Sequence, residues 1–358
     1  MEDLTAAELI VGFPDHGIRM NEWKAPNWQI ADGAIAERKI LIAGSLSYGD
    51  CIMLTPVLRA FKQAFPKCSL HVAVLPYYRG TFLHLDYIDG FASWPLPYAE
   101  YQQFDEVHFL EHFSRHPDAK TKHLTEIFAN LCGVAVTDRR CDFQVTADEK
   151  DWAAKTFPRT EEPDSITYRK RIGIQVQASQ HCRTYPAEKL RDVMTLLLKK
   201  GWELWMMGRF GEYACNEIGH IHDLSRHANT FRAQAAFLTT CDVFLGPDSG
   251  FIHAAGAMGI PAVGLYGPYP WQLRTAQYPT VLAITGHGDC APCFHISTKM
   301  QPPFPVNQPC FRQKKCMVLD SIEPEHVVRR IELTASAAPL RVLPQSPAAH
   351  DPMPSPQH

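Results

Sequence analysis

An alternation of short apolar runs with amphipathic stretches, occurring twice, constrains this chain more than any other feature. Ile40-Leu41-Ile42-Ala43 reads as a buried strand. Leu54, Val57, Leu58, Phe61 and Phe65 then recur at helical spacing, with Thr55-Pro56 in the first turn and Pro66 at the end. Leu70 to Leu75 is the next strand and Glu106 to Leu110 a further one. A strand, a helix and a strand in that order need a crossover, which makes the strands parallel. After a polar, proline-bearing stretch at 158–170 a second series begins. It runs through a strand at Ile172–Val176, a helix at Pro186–Lys200, and strands at Trp202–Met207 and Asp242–Gly246. A helix at Phe251–Met258, a strand at Ala262–Tyr266 and a last helix at Ile322–Leu333 complete it. The expected organisation is an irregular extension (1–38), a first Rossmann-like domain (39–165), a second one (166–335) and a disordered Pro-rich tail (336–358). Ligands of such sheets sit at the carboxyl ends of the strands, so the chemistry belongs in the loops that follow them.

Charge excludes some partners. Lys and Arg number 35 against 38 Asp and Glu, a net charge of −3, so nothing global favours nucleic acid or an anionic membrane. The longest apolar-leaning run, Phe251 to Trp271, is broken by His253, Pro261, Pro268 and Pro270 and does not read as a membrane span. Peripheral membrane contact stays open. Glu2 and Asp3 stand where a signal peptide carries Lys or Arg, which points to a cytoplasmic protein. Eleven cysteines, an odd number, argue against a disulfide framework. Neither GxGxxG nor GxxxxGK[ST] occurs, and the 17 histidines form no HExxH pair.

Five places could carry chemistry. Gly246-Pro247-Asp248-Ser249-Gly250-Phe251-Ile252-His253 follows a strand and opens a helix, where unpaired N–H groups and the helix dipole suit a phosphate. The same residues equally describe a helix capped by Asp248 or Ser249 without a ligand. Asp50, after the first strand, is either a helix cap or a general base. Arg183, in the loop after Ile172–Val176, could face an anion held at Ser249-Gly250 or be a solvated surface residue. In Gly208-Arg209-Phe210-Gly211-Glu212, the Glu212 side chain could take ribose hydroxyls or lie exposed at a helix start. Cys290, Cys293, Cys310 and Cys316, in a Cys-rich loop at 290–316, are a candidate structural Zn or Fe site or four free thiols. The other seven cysteines are scattered singly and read as small buried hydrophobes.

Taken in order, ILIAGSLSYGDCIMLTPVLRAFKQAFP, RTYP, GRFGE and DVFLGPDSGFIHAAGAMGIPAVGLYGPYP resemble the motifs of glycosyltransferase family 9, the ADP-heptose heptosyltransferases, across Lys39 to Leu333. The late Cys-x-Pro-Cys, Cys and Cys-Met pattern also occurs in relatives. The resemblance implies an α/β GT-B fold, two Rossmann-like domains facing a central cleft. It implies inverting, metal-independent transfer of a sugar, heptose from ADP-heptose, to a hydroxyl of a lipopolysaccharide core or related surface glycan, the acceptor being a glycan, lipid-linked or protein. Carried over residue by residue, Asp50 becomes the general base. Arg183 replaces the family's diphosphate-binding lysine, and the planar guanidinium is not equivalent to an ammonium. Ser249, Gly250 and the backbone after them hold the diphosphate with His253 close by, Glu212 is the ribose contact, and Gly208 and Asp248 count among the donor-binding residues. Gly44-Ser45-Leu46-Ser47-Tyr48 departs from the family's Arg- or Ser-rich loop, which puts donor and acceptor contacts in question. Two alternatives stand beside this: a protein O-heptosyltransferase with a four-cysteine metal finger, and a non-catalytic nucleotide-sugar-binding scaffold in which Asp50 is only a cap.

Overall fold

The computed structural model describes residues 10–11, 38–110, 116–160, 168–209, 221–294 and 315–337. The chain forms two compact units, Met1–Asp142 and Phe143–His358. This division falls ahead of the 165/166 boundary that the polar stretch suggested. Of the expected N-terminal extension only β1 and Arg38 are described, and 338–358 of the tail lie outside the described residues.

The first unit contains β1 (Ile10–Val11), β2 (Lys39–Ala43), α1 (Tyr48–Ala64), β3 (Ser69–Ala73), β4 (Gly90–Ala92), β5 (Leu96–Pro97), α2 (Tyr98–Tyr101), β6 (Glu106–Phe109) and α3 (Leu124–Cys132). β2, β3, β4 and β6 make one parallel sheet in the order β4-β3-β2-β6, and β1 pairs with β5 antiparallel. The sheet order reverses at β2, between β3 and β6. α1 lies behind it and buries Ile52, Leu54, Val57, Leu58 and Phe61.

α1 begins at Tyr48, so Pro56 lies within the helix and not in its first turn as the sequence suggested. A proline there removes the N–H that would bond the carbonyl of Ile52. The Thr55 hydroxyl donates to that carbonyl at 2.7 Å and replaces the missing bond. The same hydroxyl accepts from the Asp142 N–H at 2.8 Å, which ties the last residue of this unit to its first helix.

The second unit holds α4 (Ala147–Thr156), β7 (Arg171–Gln175), α5 (Ala187–Lys199), β8 (Glu203–Met207), β9 (Ile221–Asp223), α6 (Phe231–Leu238), β10 (Val243–Pro247), α7 (Gly250–Ala257), β11 (Ala262–Tyr266), β12 (Val281–Thr285), α8 (Met317–Asp320) and α9 (Pro324–Ser336). Its six strands are all parallel, in the order β12-β11-β10-β7-β8-β9. This is the doubly wound order of dinucleotide-binding sheets, and its switch point lies between β7 and β10. α5 and α9 cover one face through Leu190, Val193, Leu197, Val327, Val328 and Ile331. α4, α6 and α7 contribute Trp152, Phe237, Phe251 and Ile252 to the cluster on the other.

α4 explains the early start of this unit. Its Glu149 is buried against Arg232 of α6, whose Nη2 also donates to the Gln144 carbonyl at 2.7 Å. A buried carboxylate needs such a partner, so α4 belongs with the sheet that carries α6. Among the described residues no helix is long and apolar enough to cross a membrane.

Candidate active site

In the second unit the loops after β7 and β10 meet at the switch point, where ligands of such sheets bind. β10 ends in Gly246-Pro247, Asp248 follows, and Ser249 is the N-cap of α7. Ser249 has extended backbone and makes no side-chain cap to the helix. Its hydroxyl instead donates to Oε1 of Gln175, the last residue of β7. The first N–H groups of α7 therefore have no side-chain cap, and a helix of eight residues directs its dipole there.

Asp248 is buried, at 5% exposure. Arg183, from the 3-10 turn His181–Arg183 after β7, donates through Nη1 to the Asp248 carbonyl at 2.8 Å and lies 3.8 Å from its Oδ2. Arg183 Nη2 donates to Ser179 Oγ at 2.9 Å. Arg274 Nε stands 3.6 Å from the same Oδ2, and His253 Nε2 3.7 Å from Oδ1. His253 Nδ1 meets the Tyr278 hydroxyl at 3.2 Å. Burial alone would push the Asp248 pKa up. The contact with His253 and the charges of Arg274 and Arg183 outweigh it and hold the carboxyl well below its usual range.

The RTYP segment divides its labour. Arg183 turns to Asp248, while Tyr185 is buried and donates its hydroxyl to the Ile322 carbonyl at 2.7 Å, anchoring the segment to the start of α9. Thr184 Oγ1 accepts from the Ala178 N–H at 3.1 Å and closes the turn. Gly208, at the end of β8, has φ +138, a backbone that favours glycine. Gln234 of α6 holds it through both its N–H and its carbonyl, at 2.9 and 2.7 Å. Glu212 lies outside the described residues.

Asp50 sits in the first unit, in the first turn of α1. It is not the N-cap, which is Ser47, but the acidic third residue of a capping box. The Ser47 N–H and hydroxyl both donate to Asp50 Oδ2, at 2.9 and 2.6 Å. No described residue bonds its Oδ1, and the side chain is partly exposed at the carboxyl end of β2, the strand at the switch in that sheet. Asp50 is thus oriented through one oxygen and presents the other.

The structure brings Arg183, Asp248, Ser249, Gly250 and His253 together, with Gly208 directly after β8 of the same sheet. It adds Arg274, which the sequence does not single out: a lone arginine 26 residues beyond Asp248, in a turn after β11, carries no motif signal. Of the late cysteines, Cys290 is half-buried, Cys293 exposed and Cys316 buried. Burial pushes the Cys316 thiol up, and its neighbours Cys293 and Cys290 add to this. Cys182, which reads from sequence as a buried hydrophobe, also lies near them. Burial raises its thiol to about 11 against the lowering effect of Arg183, with Cys316 and Cys293 adding to the rise. Among the described residues no group of three or more His, Cys, Asp or Glu is arranged to hold a metal ion, and Cys310 lies outside them. The described part of the cluster does not by itself make a metal site.

With this geometry in place the comparisons with known proteins are informative. Residues 106–303 match the family model for glycosyltransferase family 9 (heptosyltransferase). The chain belongs to glycosyltransferase family 9. No curated protein sequence matches it significantly. Solved structures that share its fold include the following three. Escherichia coli ADP-heptose lipopolysaccharide heptosyltransferase II is 14% identical with a TM-score of 0.61, over 83% of this chain and 98% of that one. A family 9 glycosyltransferase from Veillonella parvula is 15% identical with a TM-score of 0.64, over 84% and 98%. TibC, an iron-containing dodecameric glycosyltransferase from enterotoxigenic E. coli, is 16% identical with a TM-score of 0.60, over 84% and 77%. Two parallel doubly wound sheets and this family membership give the GT-B class of fold. They make the chain a glycosyltransferase of the heptosyltransferase type.

Proposed function

We propose that this family 9 protein is an inverting glycosyltransferase that moves heptose from ADP-heptose to a hydroxyl of a lipopolysaccharide core or related surface glycan. The observation that carries this reading is the cluster at the β7/β10 switch point. There Arg183 is fixed beside the N-terminus of α7, and that terminus has no side-chain cap. A nucleoside diphosphate leaving group develops negative charge, and preorganised N–H groups with a nearby cation stabilise it without reorganisation. Ser249, Gly250 and the backbone after them hold the diphosphate, with His253 at its side and Gly208 and Glu212 toward the ribose.

Asp50 is the general base in this scheme. The Ser47 N–H and hydroxyl fix Oδ2, which leaves Oδ1 to accept the proton as the acceptor oxygen attacks. Replacing Asp50 with Asn keeps the shape and an acceptor for the Ser47 N–H. It should lower transfer by about 10²–10⁴-fold while donor affinity stays near wild type. Undiminished turnover in Asp50→Asn removes Asp50 as base.

A second reading is favoured by the proximity of Cys290, Cys293 and Cys316 and by the likeness to an iron-containing relative. In it the acceptor is a protein hydroxyl and Cys290, Cys293, Cys310 and Cys316 form a metal finger. Stoichiometric Zn or Fe in the purified protein, together with a heptose mass increment on a co-expressed protein, would select this reading.

A further inference from the structure

One large apolar side chain stands out at the surface of the first unit. Tyr77 is 60% exposed, and the other exposed large apolar residues among those described, Tyr168, Met317 and Leu333, all belong to the second unit. Tyr77 lies in the 3-10 turn Pro76–Thr81 that follows β3. β3 is the parallel neighbour of β2, after which Asp50 stands, and α1 packs against the turn. Tyr77 and Asp50 therefore share the carboxyl end of one parallel sheet, the end at which ligands of such sheets bind.

Tyr77 is exposed and yet held. Pro76 opens its turn, and the N–H groups of Tyr78 and Phe82 close it on the carbonyls of Leu75 and Arg79, each at 2.9 Å. The Tyr77 ring lies 4.2 Å from the half-buried ring of Tyr78, which meets the Tyr48 ring edge-on at 4.6 Å. Burial pushes the Tyr78 hydroxyl up, and hydrogen bonding with Tyr77 and the nearby Cys51 of α1 add to this. The Tyr48 hydroxyl donates to the Tyr77 carbonyl at 3.0 Å. Tyr48 directly follows Ser47, whose hydroxyl orients Asp50, so an unbroken path of covalent and hydrogen bonds joins the Asp50 carboxylate to Tyr77. A ring fixed beforehand loses little freedom when something settles on it.

The surrounding charges restrict what that can be. Residues 44–47 contain no Lys or Arg, and residues 74–89 contain one, Arg79. Its Nη2 donates to the Ala92 carbonyl at 2.8 Å and its guanidinium lies 5.7 Å from the Phe91 ring, so it turns toward β4. An anionic ligand would meet the charge of Asp50 with no cation from these two loops set against it. An acyl chain or apolar peptide needs a contiguous apolar patch, and one ring beside exposed Ser47 and partly exposed Asp50 is not such a patch. A neutral sugar ring fits both conditions. Its C–H face suits the negative face of an aromatic ring, and its hydroxyls suit the polar neighbours.

We propose that Tyr77 is the stacking platform for a neutral sugar ring of the acceptor, held by Tyr78 and Tyr48 at the sheet end that carries Asp50. This inference rests on the transfer reading above and deepens it, since it names the acceptor as a neutral glycoside and not an acidic or phosphorylated one. Stacking fixes the plane of the sugar ring and so limits which of its hydroxyls can turn to Asp50. Tyr77 binds and selects the acceptor and takes no proton.

The test titrates the full chain, as wild type, Tyr77→Ala and Tyr77→Trp, by saturation-transfer NMR. The probes are the methyl glycosides of glucose, galactose and mannose, methyl glucuronide as the acidic counterpart, and a peptide rich in Ser and Thr. Wild type should bind at least one neutral glycoside, with saturation strongest on its ring C–H protons, and more tightly than the glucuronide. Tyr77→Ala should weaken that glycoside about tenfold, whereas Tyr77→Trp keeps an aromatic face and should bind at least as well as wild type. In transfer from ADP-heptose, Tyr77→Ala should raise KM for the glycoside by the same factor and leave KM for ADP-heptose unchanged. If Tyr77→Ala does not fold, Tyr77→Leu, apolar but without an aromatic face, carries the same outcomes. Equal glycoside affinity in wild type and Tyr77→Ala overturns the proposal. So does wild type that binds no neutral glycoside, that prefers the glucuronide, or that depends on Tyr77 only for the peptide. Glycoside binding that depends on Tyr77 without any transfer from ADP-heptose leaves the platform standing and defeats the transfer reading. Transfer that is lost in Asp50→Asn yet indifferent to Tyr77 defeats the platform alone.

Discussion

Asp248 shows how a single side chain can serve stability and chemistry together. Its carboxylate is buried, and it counters two guanidiniums and touches His253. Its folded-state pKa lies below the ordinary 3.8. A group shifted in that direction contributes stability that is complete above the ordinary value and lost as the pH falls through and below it. Asp248→Asn keeps the volume but removes the charge and leaves Arg183 and Arg274 facing one another. Removing one partner of a buried pair costs about 3–5 kcal/mol, and the partial exposure of both arginines places this case near about 3 kcal/mol. Urea titrations at pH 7 should show that loss, and the gap between variant and wild type should narrow toward pH 3. A gap that stays constant through acid would mean that the carboxylate does not support the two arginines through its charge.

At the scale of elements, α7 trades stability for an open N-terminus. Ser249 would ordinarily cap it, yet the hydroxyl is turned to Gln175. Ser249→Asp places a carboxylate where the diphosphate belongs, next to the helix dipole and the two arginines. It should stabilise the protein by about 0.5–2 kcal/mol and reduce donor affinity at least about tenfold. Thermal melts and ADP titration read the two effects; a variant that is stabilised and binds ADP as well as wild type would show that no anion occupies this place. Much of this element-level frame was legible from sequence. Parallel strands are buried on both faces and read as apolar runs, so β2, β3, β7, β8, β10 and β11 stand out within a residue or two. α4 does not, because ADEKDWAAKT buries only Glu149, Trp152 and Ala153 and shows no apolar stripe. The interior position of Pro56 was hidden too, since the Thr55 hydroxyl that permits it gives no periodic signal. In the site, Arg183 and the Asp248–His253 segment follow from strand–loop–helix logic, whereas Arg274 becomes visible only once β11 lies beside β10.

For the whole molecule the consequence lies in where the chain divides. The second unit starts at Phe143, with α4 locked to α6 by the buried Glu149–Arg232 pair. It contains every described residue assigned here to the donor, with Arg183, Gly208, Asp248, Ser249, Gly250 and His253 all in the loops and helix start that follow strands of one six-stranded sheet. A fragment of residues 143–358 should therefore fold cooperatively and bind ADP without the first unit. A fragment begun at residue 166, the boundary suggested by the polar stretch, leaves Arg232 buried without Glu149 and exposes the surface that Trp152 and Phe157 cover. It should be markedly less stable or aggregate. Ligand that binds the folded state alone raises its stability by about 2.7 kcal/mol at a hundredfold excess over Kd, which a thermal-shift measurement detects easily. Neither fragment should transfer sugar, because Asp50 lies in the other unit. If residues 143–358 fold but ADP does not raise their melting temperature, donor binding needs groups beyond this sheet. A fragment that turns over donor onto acceptor would show that the base lies in the second unit and not at Asp50.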